Sequence, residues 1–203
     1  TLPNIGDAVV YELARVLEKI SSFESLAVTV RNVPVSSTAV HSLLESMCKI
    51  LIHRDLTINI SELVVEPQEF WFLPNILKKN TEIDSFMLCV GNTPISEDCR
   101  LEILNQIQGL KNLRSLGLYF WLTQVTDTDF KKMMDVLRKV EALKILKLSV
   151  AENYLTDNSL ETLRSFIKEK PLELLRIHIG NNNITREKVN MLLGELRPEI
   201  HII

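Results

Sequence analysis

Histidine and cysteine are the residue types here best suited to chemistry, and their spacing limits what each can do. His41 and Glu45 stand one helical turn apart, so a helix would place both on one face. That arrangement lacks the second histidine of a metal-binding helix, and a solvated pair is the simpler reading. His178 and His201 can approach diagonally on a sheet, but two imidazoles without a third ligand make a poor zinc site. Cys89 points outward in an alternating segment with no histidine in the same stretch, so it reads as a small side chain rather than a nucleophile. The chain contains no G-x-S-x-G, no paired-carboxylate signature and no G-x-x-x-x-G-K-[ST] phosphate loop. These observations argue against an enzyme, against a cofactor, metal or ATP site, and against a small-molecule substrate.

The composition supports a folded binding protein. The 203 residues are 46% hydrophobic and 24% charged, enough apolar side chain for a large core. A net charge of -3 offers no basic face for nucleic acid. The pairs Lys78-Lys79 and Lys131-Lys132 stand among residues such as Asp129 and Asp135 and read as solvated helix surface. No apolar stretch approaches the ~20 residues that cross a bilayer, so no membrane partner is expected. Cys48, Cys89 and Cys99 are odd in number and at no metal-ligand spacing, which favours a reducing, cytoplasmic setting. The sequons Asn59-Ile60-Ser61 and Asn183-Ile184-Thr185 are too short a pattern to argue otherwise.

Six alternating apolar triplets position these residues: Leu26-Val28-Val30, Leu56-Ile58-Ile60, Phe86-Leu88-Val90, Leu116-Leu118-Phe120, Leu146-Leu148-Val150 and Leu175-Ile177-Ile179. The first five begin 30 positions apart and the sixth follows after 29. Strict alternation marks strands with one buried face, and Ile200-Ile202 reads as a seventh, within Glu199–Ile203. Between strands the period becomes helical: Val40-Leu43-Leu44-Met47, Phe130-Met133-Met134-Leu137, Leu160-Leu163-Ile167 and Val189-Leu192-Leu193-Leu196. A first helix is expected over 7–20. Pro67 and Pro74 predict a broken helix in the third unit. Because Ile5-Gly6-Asp7 lies one period before Val35-Ser36-Ser37, the chain starts inside a repeat and reads as one arm of a longer protein. The expected domain is therefore single, residues 1–203, with about seven ~30-residue repeats.

After each strand one position reads Val33, Leu63, Thr93, Thr123, Asn153 and Asn182. The segments Leu148–Asp157 and Ile177–Thr185 match L-x-L-x-x-N-x-L-T, the first adding the following Asp. Asn there can bond backbone as the chain turns, and Thr-Asp can cap the next helix. Thr can do part of this; Val33 and Leu63 cannot. On these motifs the whole chain resembles the leucine-rich repeats of the ribonuclease-inhibitor-like class. That resemblance implies an α/β solenoid: a right-handed βα superhelix with a curved parallel sheet on its concave face and helices outside. The repeats also resemble the C-terminal region of cytosolic NLR innate-immune receptors, with a divergence like that of the neuronal apoptosis inhibitory protein branch. This implies protein binding, ligand recognition and autoinhibition in an inflammasome-type receptor, with other domains of the receptor as further partners. A scaffold or adaptor, such as the substrate-binding arm of a ubiquitin ligase, is the alternative.

Alternation sets three outward rows across the sheet. They are Ala27, Thr57, Met87, Gly117, Lys147, Arg176, His201; then Thr29, Asn59, Cys89, Tyr119, Ser149, His178; then Arg31, Ser61, Gly91, Trp121, Ala151, Gly180. Trp121 and Tyr119 stand among small neighbours and are expected to project as protein-binding anchors. Lys147, Arg176, His178 and His201 form a basic end suited to an acidic surface, and Met87 completes the candidate face. The competing reading is that both rings pack locally, on an adjoining loop or domain.

Overall fold

The computed structural model describes residues 5–194 and 200–202. Its elements alternate throughout: α1 (Ile5–Leu17), β1 (Ser22–Thr29), α2 (Ser37–Met47), β2 (Leu51–Asn59), a 3-10 turn (Pro67–Trp71), α3 (Phe72–Lys79), β3 (Ser85–Cys89), α4 (Glu97–Gln108), β4 (Ser115–Tyr119), α5 (Asp127–Arg138), β5 (Ile145–Ser149), α6 (Asp157–Glu169), β6 (Leu174–His178), α7 (Arg186–Gly194) and β7 (Ile200–Ile202). The strands form one parallel sheet in sequence order, β1 to β7. This architecture fits a leucine-rich-repeat solenoid. The register agrees with the 30-residue spacing: Leu26 pairs with Leu56, Phe86, Leu116, Leu146 and Leu175 in turn.

The inward residues of these strands and the apolar helix faces share one continuous core, including Phe86, Leu118, Phe130, Met133, Met134 and Leu163. Phe166, fully buried on α6, completes a stripe that the spacing Leu160-Leu163-Ile167 leaves unfilled. Leu193, expected in the core, is instead 38% exposed, because α7 buries only Leu192. The first helix runs Ile5–Leu17 rather than to Ile20. In the third unit Pro67 opens the 3-10 turn and Pro74 falls in the first turn of α3, where a missing N–H costs nothing. Leu196, Glu199 and Ile203 lie outside the described residues.

Polar side chains fasten one repeat to the next. The Oδ1 of buried Asn153 accepts from the N–H groups of Thr123 (3.0 Å) and Val125 (2.9 Å), in the preceding unit. Its Nδ2 donates to the carbonyls of Phe120 and Ala151. Asn182 repeats the pattern on Asn153 and Leu155. Thr93 and Thr123 manage only half of it, each donating its hydroxyl to a carbonyl of its own turn, Val90 and Phe120. Without a polar side chain, Leu63 is buried and Val33 is 40% exposed.

A second ladder joins the helix starts. Ser36, Ser96, Thr126 and Thr156 cap α2, α4, α5 and α6. An aspartate in the first helical turn serves the next repeat: Asp7 accepts from the Ser36 N–H, Asp127 from Thr156 and Ser159, and Asp157 from Thr185. Burial works to raise the Asp127 pKa, but these hydrogen bonds outweigh it and hold the carboxyl below its usual range.

Just beyond each of the first six strands the backbone enters the left-handed region at Asn32, Glu62, Asn92, Leu122, Glu152 and Asn181, with φ of 48–58°. The N–H groups of the first five donate to carbonyls of the following repeat at Ser61, Gly91, Trp121, Ala151 and Gly180. Asparagine tolerates this conformation; a branched apolar residue such as Leu122, 45% exposed, does not. Leu122→Asn should therefore stabilise the protein by about 1 kcal/mol, raising Tm in a thermal melt by roughly 2–4 °C. Asn153→Ala should lower stability by about 2–4 kcal/mol in urea titrations, since it strands several buried backbone groups at once. A loss below about 0.5 kcal/mol would show that water replaces the side chain.

Candidate functional site

Strands β4, β5 and β6 bring five of the six expected contact residues around one hollow on the open sheet face. Tyr119, Trp121, Lys147, Arg176 and His178 line a space of roughly 600 Å³, with Ser149 and Ala151 beneath it. The register produces this directly: Gly117 pairs with Lys147, which pairs with Arg176, while Tyr119 pairs with Ser149 and Ser149 with His178. Met87 does not join them. It flanks Gly117 on the far side, where a Cβ would meet Met87 Cγ at 3.3 Å and the Tyr119 ring at 3.2 Å.

The aromatic rings do not project as expected. Trp121 lies down across Gly91, so closely that a Cβ there would sit 2.0 Å from its Nε1. Tyr119 leans over Gly117, and the His178 ring approaches Gly180. Small residues in the outward rows are thus footings for their large neighbours, and both rings are half-buried. Ser149, Ala151 and Ser61, expected to face outward, are buried. Glu152, which the outward rows omit, also lines the hollow. It occupies the left-handed position one residue past the third row, and following the 30-residue register to that position would have identified it.

The electrostatics are one-sided. Among the described residues no ion pair or hydrogen bond engages the Lys147 ammonium or the Arg176 guanidinium. Elsewhere on the same face, Arg31 is held at 2.7 Å by Glu62, just beyond β2. Burial pushes the Tyr119 phenol above its ordinary pKa, and the nearby charge of Arg176 works against that.

The other titratable candidates have structural roles. His41 turns away from Glu45 to Glu69 of the next unit, with Nδ1 2.8 Å from Oε2, and its ring stands edge-on to Phe72. The spacing of 41 and 45 misleads because the helix packs against a neighbour that offers a better partner. Arg100 is buried, donates to the carbonyls of Ile95 (3.0 Å) and Thr123 (2.8 Å), and lies 3.6 Å from Asp129. Desolvation lowers its pKa despite that carboxylate. Burial raises the thiol of Cys48 to about 11 and that of Cys99 to about 12, so both remain protonated at neutral pH. Among the described residues no group of three or more His, Cys, Asp or Glu could hold a metal ion, and no helix is long and apolar enough to cross a membrane.

No family model and no curated protein matches the sequence. Solved structures do. The actin-binding site 2 of leiomodin-1 is 12% identical with a TM-score of 0.52, covering 82% of this chain and 90% of its own. The C-terminal domain of a Caenorhabditis elegans tropomodulin is also 12% identical, with a TM-score of 0.49 and coverage of 82% and 93%. A leucine-rich-repeat protein of Leptospira interrogans is 13% identical with a TM-score of 0.36, covering 93% of this chain and 56% of that one. Likeness at such identity speaks to fold alone.

Gly91→Ala tests the seating of Trp121. With Trp71→Phe removing the other indole, the added methyl should lift Trp121 into water, seen as a red shift and stronger quenching by acrylamide. An unchanged spectrum would mean that the ring does not rest on Gly91.

Proposed function

We propose that this protein is a protein-binding module whose open sheet face forms the recognition surface of a cytosolic receptor of the NLR type. The observation that carries the reading is the hollow itself: two half-buried aromatic rings beside a lysine and an arginine that have no acidic partner among the described residues. Aromatic and arginine side chains are enriched at the centres of protein interfaces. The two L-x-L-x-x-N-x-L-T repeats, at Leu148–Leu155 and Ile177–Ile184, support the receptor assignment through their resemblance to that family. That a structurally similar domain bears the name of an actin-binding site supports a protein as the class of partner; it does not select actin.

In a receptor of this kind the same face holds another domain at rest and gives it up to a ligand. Such a device works only if the two occupants compete with different affinities for the two states. The mechanism needs a rigid surface rather than a reactive one, and the hydrogen-bonded sheet supplies it.

The transcript encoding this chain should carry a nucleotide-binding domain upstream; an F-box there would favour the adaptor reading instead. In the full-length protein Trp121→Ala should raise basal signalling or weaken ligand binding while leaving the array folded, with a cooperative melt. Leu118→Ala, inside the core, should cost about 2–5 kcal/mol of stability. Normal signalling and affinity in a folded Trp121→Ala variant would exclude this face.

A further inference from the structure

We propose that the hollow docks an acidic segment of another protein, one carboxylate bridging Lys147 and Arg176 while an apolar side chain two or three residues away rests against Trp121. This deepens the reading of the open face as a protein-binding surface and depends on it.

Lys147 and Arg176 are direct partners on neighbouring parallel strands, which run about 4.8 Å apart. Like charges placed opposite one another disfavour a sheet. Other charges on the sheet find partners: Arg31 with Glu62, Arg54 with Glu24, and Asp55 with Ser25. The pair at 147 and 176 has none among the described residues, and Glu152 on the rim engages neither. An external carboxylate would remove the repulsion and gain two charge-assisted hydrogen bonds, Arg176 offering a planar fork and Lys147 a movable point charge.

The geometry also selects the form of the occupant. Backbone donors around the hollow are already spent on the next strand, as in Phe120 N–H to Ser149 (2.8 Å) and Val150 N–H to His178 (2.9 Å). An incoming chain cannot add as a strand there and must be read by its side chains. Because Trp121 and Tyr119 are laid over Gly91 and Gly117, Ser149 and Ala151 remain as a low floor between the ring wall and the cations. A side chain of aromatic or aliphatic type fits over that floor, within reach of a carboxylate on the basic side. Single-stranded nucleic acid would use similar rings, but it needs a row of cations along its phosphates. Here there are two beside a glutamate, on a chain of net charge -3.

Fluorescence anisotropy with labelled short peptides tests this. One peptide carries Asp and Glu beside a Phe in a Gly-Ser frame, a second has Asn and Gln in their place, and a third has Ala for Phe; a labelled oligouridine is the rival ligand. The acidic Phe peptide should bind about tenfold more tightly than either peptide control, and high salt should weaken it. Lys147→Ala with Arg176→Ala should reduce its affinity at least about tenfold, with thermal melts confirming the fold. The double reversal Lys147→Glu with Arg176→Glu should transfer preference to a Lys-substituted peptide. Undiminished binding in the double alanine variant overturns the proposal, and so does tighter binding of oligouridine. If the neutral Phe peptide binds as well as the acidic one and responds to Trp121→Ala alone, the face still binds protein but the acidic segment is wrong. If no peptide responds to either set of substitutions, both readings fall.

Discussion

The structure depends on how each repeat disposes of its backbone polar groups where the chain leaves the sheet. A parallel strand can pass its N–H and C=O groups to its neighbour only while it runs straight, and every unit must then turn away to form a helix. The left-handed residue at that point, from Asn32 to Asn181, lets the chain turn. Through the first five of these positions its N–H still reaches the next repeat. Buried backbone groups left unpaired would be costly, so the turn is held to one geometry. That geometry fixes the register, and the register sets which outward side chains become neighbours.

Where the buried asparagine is missing, other groups take over parts of its work. The Thr93 and Thr123 hydroxyls each satisfy one carbonyl of their own turn, whereas the acceptor for the N–H groups of the preceding unit appears where Asn stands, as Asn153 provides it to Thr123 and Val125. At the N-terminal end other polar contacts join neighbouring units. Arg31 bridges to Glu62, and Asn80, at the end of α3, accepts from the Ile52 N–H while donating to the Ile76 carbonyl. The repeats keep one architecture while the polar contacts that join neighbouring units differ along the chain.

This explains which features were legible in the sequence. Period-two triplets at constant spacing determine strands, register and outward rows, since burial of one sheet face tolerates no slip. The grouping of Tyr119, Trp121, Lys147, Arg176 and His178 followed from that register. Features decided by side-chain rotation or by contacts between units did not. Trp121 next to Gly91 reads equally as a projecting ring or a reclining one until the backbone is placed. The partner of His41 is Glu69, 28 positions away, not the carboxylate one turn along. Aspartates in the first helical turns resemble local capping residues, yet Asp7, Asp127 and Asp157 serve the next unit.

The hollow exists because ring positions alternate with small ones in two adjacent rows. A side chain at Gly91 would overlap Trp121 and force its ring to move, whereas one at Gly117 would ask Tyr119 and Met87 to yield by a few tenths of an ångström. The same small residues that cost strand propensity therefore create both the depth of the site and the firm seating of its walls. A pre-seated ring loses little freedom on contact, so more of the contact energy is available for affinity. Lys147 and Arg176, which have no acidic partner among the described residues, work in the opposite sense, raising the energy of the free face through their mutual repulsion. Together these features give a surface of fixed shape that carries two neighbouring positive charges.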